Sequence, residues 1–162
     1  MLPLVTLPTP SLREPSRAVT REELLSPEMQ SFCQALAPAM YNYHGIGLAA
    51  PQVDKNMRVC VIGKEADKSL IADLILVNPE IEILSRKKNL DSEGCLSVPN
   101  TFGKVKRATR IRVRAWNVAG QPIEFVAKNF LARVVQHELD HLNGLLFIDR
   151  ANDIYEVTPE KK

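Results

Sequence analysis

The chain has 162 residues, of which 45% are hydrophobic, and its formal net charge is +2. This length and composition predict one domain with one substantial core over residues 1–162. The small net charge does not indicate binding to a specific nucleic acid or to an anionic membrane surface, and no apolar run is long enough to cross a bilayer.

The N-terminal residues 1–20 are rich in proline and are expected to run extended over the surface. They lack the basic region and the uninterrupted apolar core of a signal peptide. Cys33, Cys60 and Cys95 are odd in number and widely spaced, which argues against a disulfide framework. We therefore expect a reducing, cytoplasmic setting.

The first predicted helix begins at Ser26, a good N-terminal cap, with Pro27 in its first turn. Its apolar positions recur at helical spacing and form one stripe, made of Met29, Phe32, Cys33, Leu36 and Met40. Pro38 is expected to kink this helix near residues 34–38.

The segment from His44 to Gln52 contains two glycines that flank Ile46. Gly45 and Gly47 tolerate unusual dihedral angles and allow another backbone to approach closely. The segment is therefore either a plain helix-to-strand turn or the lining of a substrate site, with the amide of Gln52 at its end. No spacing marks His44 as a metal ligand, and we interpret it as a surface or turn residue.

Five stretches in the middle of the chain have the composition or the alternation of β-strands. They are Met57–Gly63, Leu74–Asn78, Glu80–Ser85, Thr109–Asn117 and Pro122–Ala127. Pro79 separates the second from the third, and a turn at residues 118–121 pairs the last two. The strands predict an α+β fold with mostly antiparallel sheets.

The second predicted helix is capped by Asn129 and ends in a left-handed turn at Gly144. At helical spacing His137 and His141 lie one turn apart on one face, where both imidazoles reach one metal ion. Glu138 is rotated by about 100° from His137, so it reaches a water at that ion without being a ligand. The alternative is an amphipathic helix with two accidental histidines. We expect the sheets to pack around this central H-E-x-x-H helix, with the first helix before them.

A catalytic site of this kind needs a third protein ligand and an open position. Cys95 is the best candidate, because a thiolate suits a late first-row metal and would join two imidazoles. Gly94, Ser97 and Pro99 around it indicate a turn rather than a strand interior. The alternative is one more buried packing cysteine.

Three motifs resemble those of a known family. The segments Gly45–Gln52, Glu93–Ser97 and Gln136–His141 are similar, in sequence and in order, to the three motifs of the peptide deformylases. The similarity extends from about Pro10 to about Asp149, nearly the whole chain. It implies a metal-dependent hydrolase that removes the formyl group from the initiator N-formylmethionine of new bacterial proteins and releases formate.

The resemblance implies one divalent metal ion held by Cys95, His137 and His141. Fe(II) is the metal that it implies in the cell, with zinc, nickel or cobalt possible in purified protein. Glu138 would take the proton of the attacking water and pass it to the leaving amine. The side-chain amide of Gln52 and the backbone N–H of Leu96 would stabilise the oxyanion.

The resemblance also implies how a substrate binds. The segment that would pair with the substrate backbone is made of Gly45, Ile46 and Gly47. Independently of the resemblance, helical spacing places Phe130 and Val134, seven and three residues before His137, on roughly the same helix face. They are either the walls of an apolar pocket for a methionine side chain or ordinary core residues. The implied partners are N-formylmethionyl peptides and nascent chains, with possible transient ribosome association.

Two other functions compete with this interpretation. An H-E-x-x-H peptidase commonly takes its third ligand downstream of the helix, but the downstream carboxylates have no clear helical register with His141. A structural metal module usually has four protein ligands and no positioned base. Glu93 and Asp140 are candidate partners of the ligands or of Arg107, although an exposed Asp140 is about as plausible. The residues after Asp149 are too few for the long C-terminal helix of some deformylases, which leaves their docking open.

Overall fold

The computed structural model describes residues 1–159, so residues 160–162, the end of that C-terminal tail, lie outside the described part. The helices are α1 (Arg21–Leu24), α2 (Pro27–Asn42) and α3 (Asn129–Leu142). The strands are β1 (Gly47–Ala49), β2 (Val59–Ile62), β3 (Leu74–Ile83), β4 (Lys88–Cys95), β5 (Val98–Ala108), β6 (Arg110–Trp116), β7 (Pro122–Lys128) and β8 (Asn152–Glu156). None of the helices within residues 1–159 combines the length and the apolar character that a membrane crossing requires.

The strands form two antiparallel sheets. The larger sheet has the order β1-β2-β3-β6-β7, and the smaller has the order β4-β5-β8. Helix α2 packs on one face of the larger sheet, whereas α3 packs on the opposite face and also contacts β5 of the smaller sheet. The predicted α+β fold, with antiparallel sheets around the central helix, is confirmed.

Strand β2 shows why the sheet holds a helix on each face. Val59 and Val61 belong to the apolar cluster around α2, and Cys60 and Ile62 belong to the cluster around α3. Successive residues of a strand point to opposite faces of the sheet. Because a helix covers each face at β2, all four side chains are buried. Cys60 is a packing residue, and so is Cys33 in the α2 cluster.

Helix α2 begins as predicted. The Ser26 hydroxyl accepts a hydrogen bond from the Met29 N–H, and Pro27 occupies the first turn. The predicted stripe faces the core, with Phe32 partly buried and Met29, Cys33, Leu36 and Met40 buried. The helix continues through Pro38 to Asn42.

The two strands predicted around Pro79 are one strand, β3, so that prediction is wrong. The register against β6 shifts between Val77 and Glu80, and Asn78 adopts a left-handed φ of 50°. The Asn78 side chain fixes this bulge, accepting a hydrogen bond from the Val19 N–H at 2.9 Å and donating one to the Val19 carbonyl at 2.8 Å. Pro79 therefore lies in a bulge, where its missing N–H costs no ladder hydrogen bond.

The β4–β5 hairpin and β8 were not predicted. Cys95 is the last residue of β4 and pairs with Val98, so it ends a strand instead of lying wholly within a turn. The segment after Asp149, whose docking the sequence left open, forms strand β8. This strand pairs with β5 and places Tyr155 opposite Phe102.

Helix α3 differs from prediction at its start. Lys128 occupies the N-cap position without a side-chain hydrogen bond, and Asn129 adopts a left-handed φ of 54°, so the Asn129 cap is wrong. At the other end Gly144 has the predicted left-handed φ, +75°. A Cβ at Gly144 would lie 2.7 Å from the Arg13 carbonyl oxygen, which explains why this turn needs glycine.

The N-terminal segment forms backbone hydrogen bonds to two loops of the fold. Its Val5 N–H donates to the Gln52 carbonyl at 2.8 Å, and its Leu7 N–H donates to the Ser97 carbonyl at 3.0 Å. These bonds join the segment that follows β1 to the tip of the β4–β5 hairpin. The N-terminal segment thus connects the two loops around the candidate site through these two backbone hydrogen bonds.

Candidate metal centre and active site

Three side chains, one from β4 and two from α3, converge at one point. Cys95 ends β4, whereas His137 and His141 lie one turn apart on the same face of α3. Their potential ligand atoms all lie within 4.8 Å of one another, and Cys95 Sγ is 3.3 Å from His141 Nε2. Within residues 1–159 these are the residues that cluster with the geometry of a metal site.

The arrangement fits a small divalent cation. Sulfur and nitrogen ligands of a tetrahedral ion lie about 3.5 Å apart, close to the observed separation of Cys95 and His141. Burial lowers the pKa of His141 well below its usual range, so its imidazole is neutral, the form that binds metals. Burial also disfavours a charged His137, but hydrogen bonds with Cys95 and Glu93 prevail and raise its pKa to about 10. The negative groups around His137 therefore favour a positive charge at this point, which a proton on the imidazole or a cation bound to it supplies.

Glu93 orients His137 and is itself held by two arginines. One Glu93 oxygen lies 2.9 Å from His137 Nδ1, which leaves Nε2 free for a metal. Arg107 donates to both Glu93 oxygens at 2.8 and 2.9 Å, and Arg133 donates to one at 2.6 Å. Burial opposes the charged carboxylate, but the bonds with Arg107 and His137 lower the pKa of Glu93 to about 2.

Asp140 completes this network from the next turn of α3. It accepts a hydrogen bond from Arg107 at 2.6 Å and two from Arg150 at 2.8 and 3.0 Å. The Asp140 side chain is buried, so the alternative of an exposed carboxylate is wrong. The predicted pairing of Glu93 and Asp140 with Arg107 is confirmed.

Glu138 is buried beside the three candidate ligands. Its Oε2 has no hydrogen-bond partner among the described residues. A Cβ at Gly47 would lie 2.5 Å from Glu138 Oε1, so the absence of a side chain at Gly47 provides the space that this carboxylate occupies. Burial raises the pKa of the Glu138 carboxyl to about 7.

Gln52 is held with its amide group directed at the same point. Its Oε1 accepts a hydrogen bond from the Ala49 N–H at 2.9 Å, which fixes the orientation of the amide. Its Nε2 lies 3.2 Å from Ser97 Oγ and 3.6 Å from Cys95 Sγ. The donor side of Gln52 therefore faces Cys95.

A cavity of about 600 Å³ opens onto these groups. It is lined by most of the residues singled out from the sequence, namely Gly45, Ile46, Gly47, Gln52, Cys95, Leu96, Phe130, Val134, His137 and Glu138. His141 is buried and does not line the cavity. Exposed His44 lines the rim with a left-handed φ of 60° and stays outside the ligand cluster, as expected.

Sequence reasoning missed Arg133 and Phe102. Arg133 lies on α3 among apolar residues, where a buried arginine signals a buried carboxylate partner, so its position was a usable sign of the Glu93 network. Phe102 lines the cavity from β5, a strand that was not predicted. The alternation of Phe102, Lys104 and Lys106 with Gly103 and Val105 was the signal for that strand.

Comparison with known proteins identifies the family. The family model described as polypeptide deformylase matches residues 1–156. The chain is 39% identical to the peptide deformylase of Desulforudis audaxviator over 153 residues, which cover 94% of this chain and 95% of that protein.

Solved structures agree in fold. A ligand-bound class I type b peptide deformylase from Acinetobacter baumannii superposes with a TM-score of 0.87 at 37% identity, covering 93% of this chain and 98% of that one. A Met-Ala-Ser-bound structure of the same type and organism superposes with a TM-score of 0.86 at 35% identity and the same coverage. The chain belongs to the polypeptide deformylase family, metal-dependent hydrolases that remove the formyl group from the N-formylmethionine of newly made proteins.

Proposed function

We propose that this chain deformylates N-formylmethionyl peptides in the cavity beside α3, with Cys95, His137 and His141 as the metal ligands. The observation that carries this proposal is the convergence of these three side chains with the Gln52 amide and with a buried Glu138 oxygen that has no partner within residues 1–159. Formate release from formyl-Met-Ala-Ser tests it. An H-E-x-x-H peptidase would instead cleave an unformylated protein substrate and release no formate.

The reaction needs a base, an acid and donors for the oxyanion. A divalent cation bound at this site supplies a Lewis acid that makes water more acidic. Glu138 accepts the proton of the attacking water and then returns it to the leaving methionine nitrogen. The Gln52 Nε2 group and the Leu96 backbone N–H donate hydrogen bonds to the formyl oxygen, which becomes an oxyanion when water adds to the formyl carbon.

Two walls of the cavity position the substrate. Strand β1 is an edge strand of the larger sheet and begins at Gly47, so Gly47 and the two residues before it, Gly45 and Ile46, present a backbone edge to an extended peptide. Phe130 and Val134 form an apolar wall beside His137, where the methionine side chain packs. Gly47 also leaves the space that Glu138 needs, so one segment serves both binding and catalysis.

Replacing Gln52 should lower turnover without removing the metal. Gln52→Leu keeps the size of the side chain but removes the donor, and loss of one oxyanion donor typically costs roughly 10²–10³-fold in kcat. Steady-state formate release and metal analysis on the same preparation measure both quantities. Gln121→Leu, on the exposed turn between β6 and β7, is the matched control. A near-normal kcat for Gln52→Leu would remove Gln52 from the mechanism.

We infer that Fe(II) is the working metal and that zinc, nickel and cobalt bind in purified protein. Cys95 supplies a thiolate at the edge of an open cavity, where oxygen and peroxide reach an iron–thiolate centre. The iron form should therefore lose activity in air within a shorter time than the nickel or cobalt form. Parallel decay curves in air and under argon measure this. Equal lifetimes for all forms would argue against iron.

The setting of the reaction follows from its substrate. We infer that the chain works in the cytoplasm on nascent chains, with transient ribosome association. We also infer that residues 1–162 form one catalytic domain. The packing of α3 against both sheets supports the single domain. One cooperative unfolding transition would agree with it, and cosedimentation with translating but not with empty ribosomes would agree with the association.

A further inference from the structure

The outer edge of strand β7 is open. Within residues 1–159 this last strand of the larger sheet pairs with β6 alone, and β1 forms the opposite edge. Helix α3 begins directly after β7 and contacts β1 and β2 on the other side of the sheet, so it leads away from the β7 edge. An open edge strand presents N–H and C=O groups that can pair with another chain. The β7 edge is therefore a candidate docking surface, separate from the peptide-binding edge proposed at β1.

Hydrogen bonds at the two ends of the β6–β7 pair show which residues of β7 face outward. The Asn117 N–H donates to the Gln121 carbonyl at 2.9 Å, and the Asn129 N–H donates to the Thr109 carbonyl at 2.8 Å. In an antiparallel ladder every second residue pair is hydrogen-bonded, so the odd-numbered residues of β7 bond to β6. The N–H and C=O groups that point to the open edge are those of Glu124, Val126 and Lys128.

The charges along this edge are not balanced within one molecule. Lys128 lies directly opposite Arg110 on β6, where two like charges repel each other. None of the ion pairs within residues 1–159 includes Lys128 or Arg110. Glu124 lies opposite Arg114 and pairs with it at 3.2 Å, yet the Glu124 side chain remains 51% exposed. The edge thus carries a positive charge that lacks an opposite partner and a negative charge that can accept a further one.

We propose that the β7 edge docks a second copy of this chain in an antiparallel two-fold pair, with Val126 on the axis. In this register Glu124 of each copy lies opposite Lys128 of the other, so both charges gain an opposite partner. Each pair of outward-facing residues exchanges two backbone hydrogen bonds. Val126, which is 39% exposed, meets its own copy on the outer face. On the inner face Phe125 lies opposite Ala127 of the second copy, so the apolar cluster around α3 continues across the axis.

Other two-fold registers of the same edge lose this complementarity. An axis at Phe125 places Glu124 opposite Val126. It also places Lys128 opposite Pro122, which has no N–H to donate. An axis at Glu124 places two carboxylates against each other. A lysine on an edge strand usually discourages pairing, but here Lys128 and Glu124 are equally distant from Val126, so the lysine selects one register instead.

The test uses two charge variants whose mixture restores the interface. In sedimentation equilibrium the wild-type protein should form a reversible dimer, whose fraction rises with protein concentration. Lys128→Glu and Glu124→Lys each convert both opposite-charge pairs into like-charge pairs, so each should weaken association by roughly 10- to 100-fold. An equimolar mixture of the two variants should dimerise again, because every charge in the mixed pair regains an opposite partner.

Two controls separate the interface from effects on the fold or on net charge. Lys68→Glu makes the same charge change at an exposed position and should keep the dimer. Val126→Pro removes an outward N–H without touching the bonds to β6, so it should abolish the dimer while circular dichroism shows a folded chain. A wild-type protein that is monomeric at every concentration would overturn the proposal. So would a Lys128→Glu dimer of undiminished strength, or a mixture that associates no better than either variant alone.

Discussion

Glu138→Gln should hold its metal and its fold yet lose turnover by roughly 10²–10⁴-fold or more, the usual worth of a positioned acid–base group. The carboxylate is buried, and its Oε2 has no partner among residues 1–159, so in the proposed mechanism this oxygen is available to accept the proton of the attacking water. Glutamine has the same shape, fits beside Gly47 and cannot accept a proton. Formate release, metal content and circular dichroism on one preparation measure the three properties.

Two further variants define the role of Glu138. Glu138→Ala removes the group altogether and should behave as Glu138→Gln does. Glu28→Gln, on the exposed first turn of α2, is the matched control and should leave all three properties unchanged. If Glu138→Ala loses its metal, Glu138 is a ligand or an anchor. If it keeps both metal and activity, the reaction uses another base.

Cys95→Ala should lose most of its bound metal and, with it, almost all activity. In the proposed site the Cys95 thiolate is the ligand that β4 contributes, and without it two imidazoles from one helix leave a small cation without its third protein ligand. Metal analysis of protein purified without oxygen measures the loss. His137→Ala and His141→Ala should lose metal and activity together, unlike the Glu138 variants.

The other two cysteines supply the controls for this result. Cys33→Ala and Cys60→Ala remove thiols from the two apolar clusters, where burial raises the pKa of Cys33 to about 11 and that of Cys60 well above its usual value. These protonated thiols pack in the core, so both variants should keep their metal and lose only stability. Stoichiometric metal in Cys95→Ala would show that the third ligand lies elsewhere.

The elements predicted correctly are those whose apolar residues recur with the period of the helix or strand that they form. Helix α2 has a stripe at helical spacing and β6 has strict alternation, and in both the apolar positions face a core. The β4–β5 hairpin is harder to predict, because only residues 102–106 of β5 alternate and β4 has no apolar alternation. One of its faces is open to solvent, and the other buries Glu93 and Arg107 as an ion pair, so a charged residue occupies a core position. The hydropathy of either strand alone does not show that Glu93 and Arg107 are buried, because each is buried only as the partner of the other.

The candidate site was more predictable than the fold around it. His137, Glu138 and His141 are local in sequence, so helical geometry alone brings them together. The space for Glu138 is different, because it depends on Gly47, which lies far away in the sequence and meets Glu138 only across the packing of β1 on α3. The position of Tyr155 opposite Phe102 depends likewise on the pairing of β8 with β5, which no local pattern specifies.

The buried charges around Glu93 have a consequence for how the protein acquires its metal. Arg107 on β5 joins Glu93 on β4 to Asp140 on α3, and Arg133 on α3 also binds Glu93. These ion pairs are formed by side chains other than the three candidate ligands, so they join the hairpin to the helix without help from an ion. Metal loading is therefore expected to order little of the chain, unlike in a zinc finger, whose folding depends on the ion. Exchange of one cation for another should then proceed in the native state, at a rate set by ligand chemistry and not by unfolding.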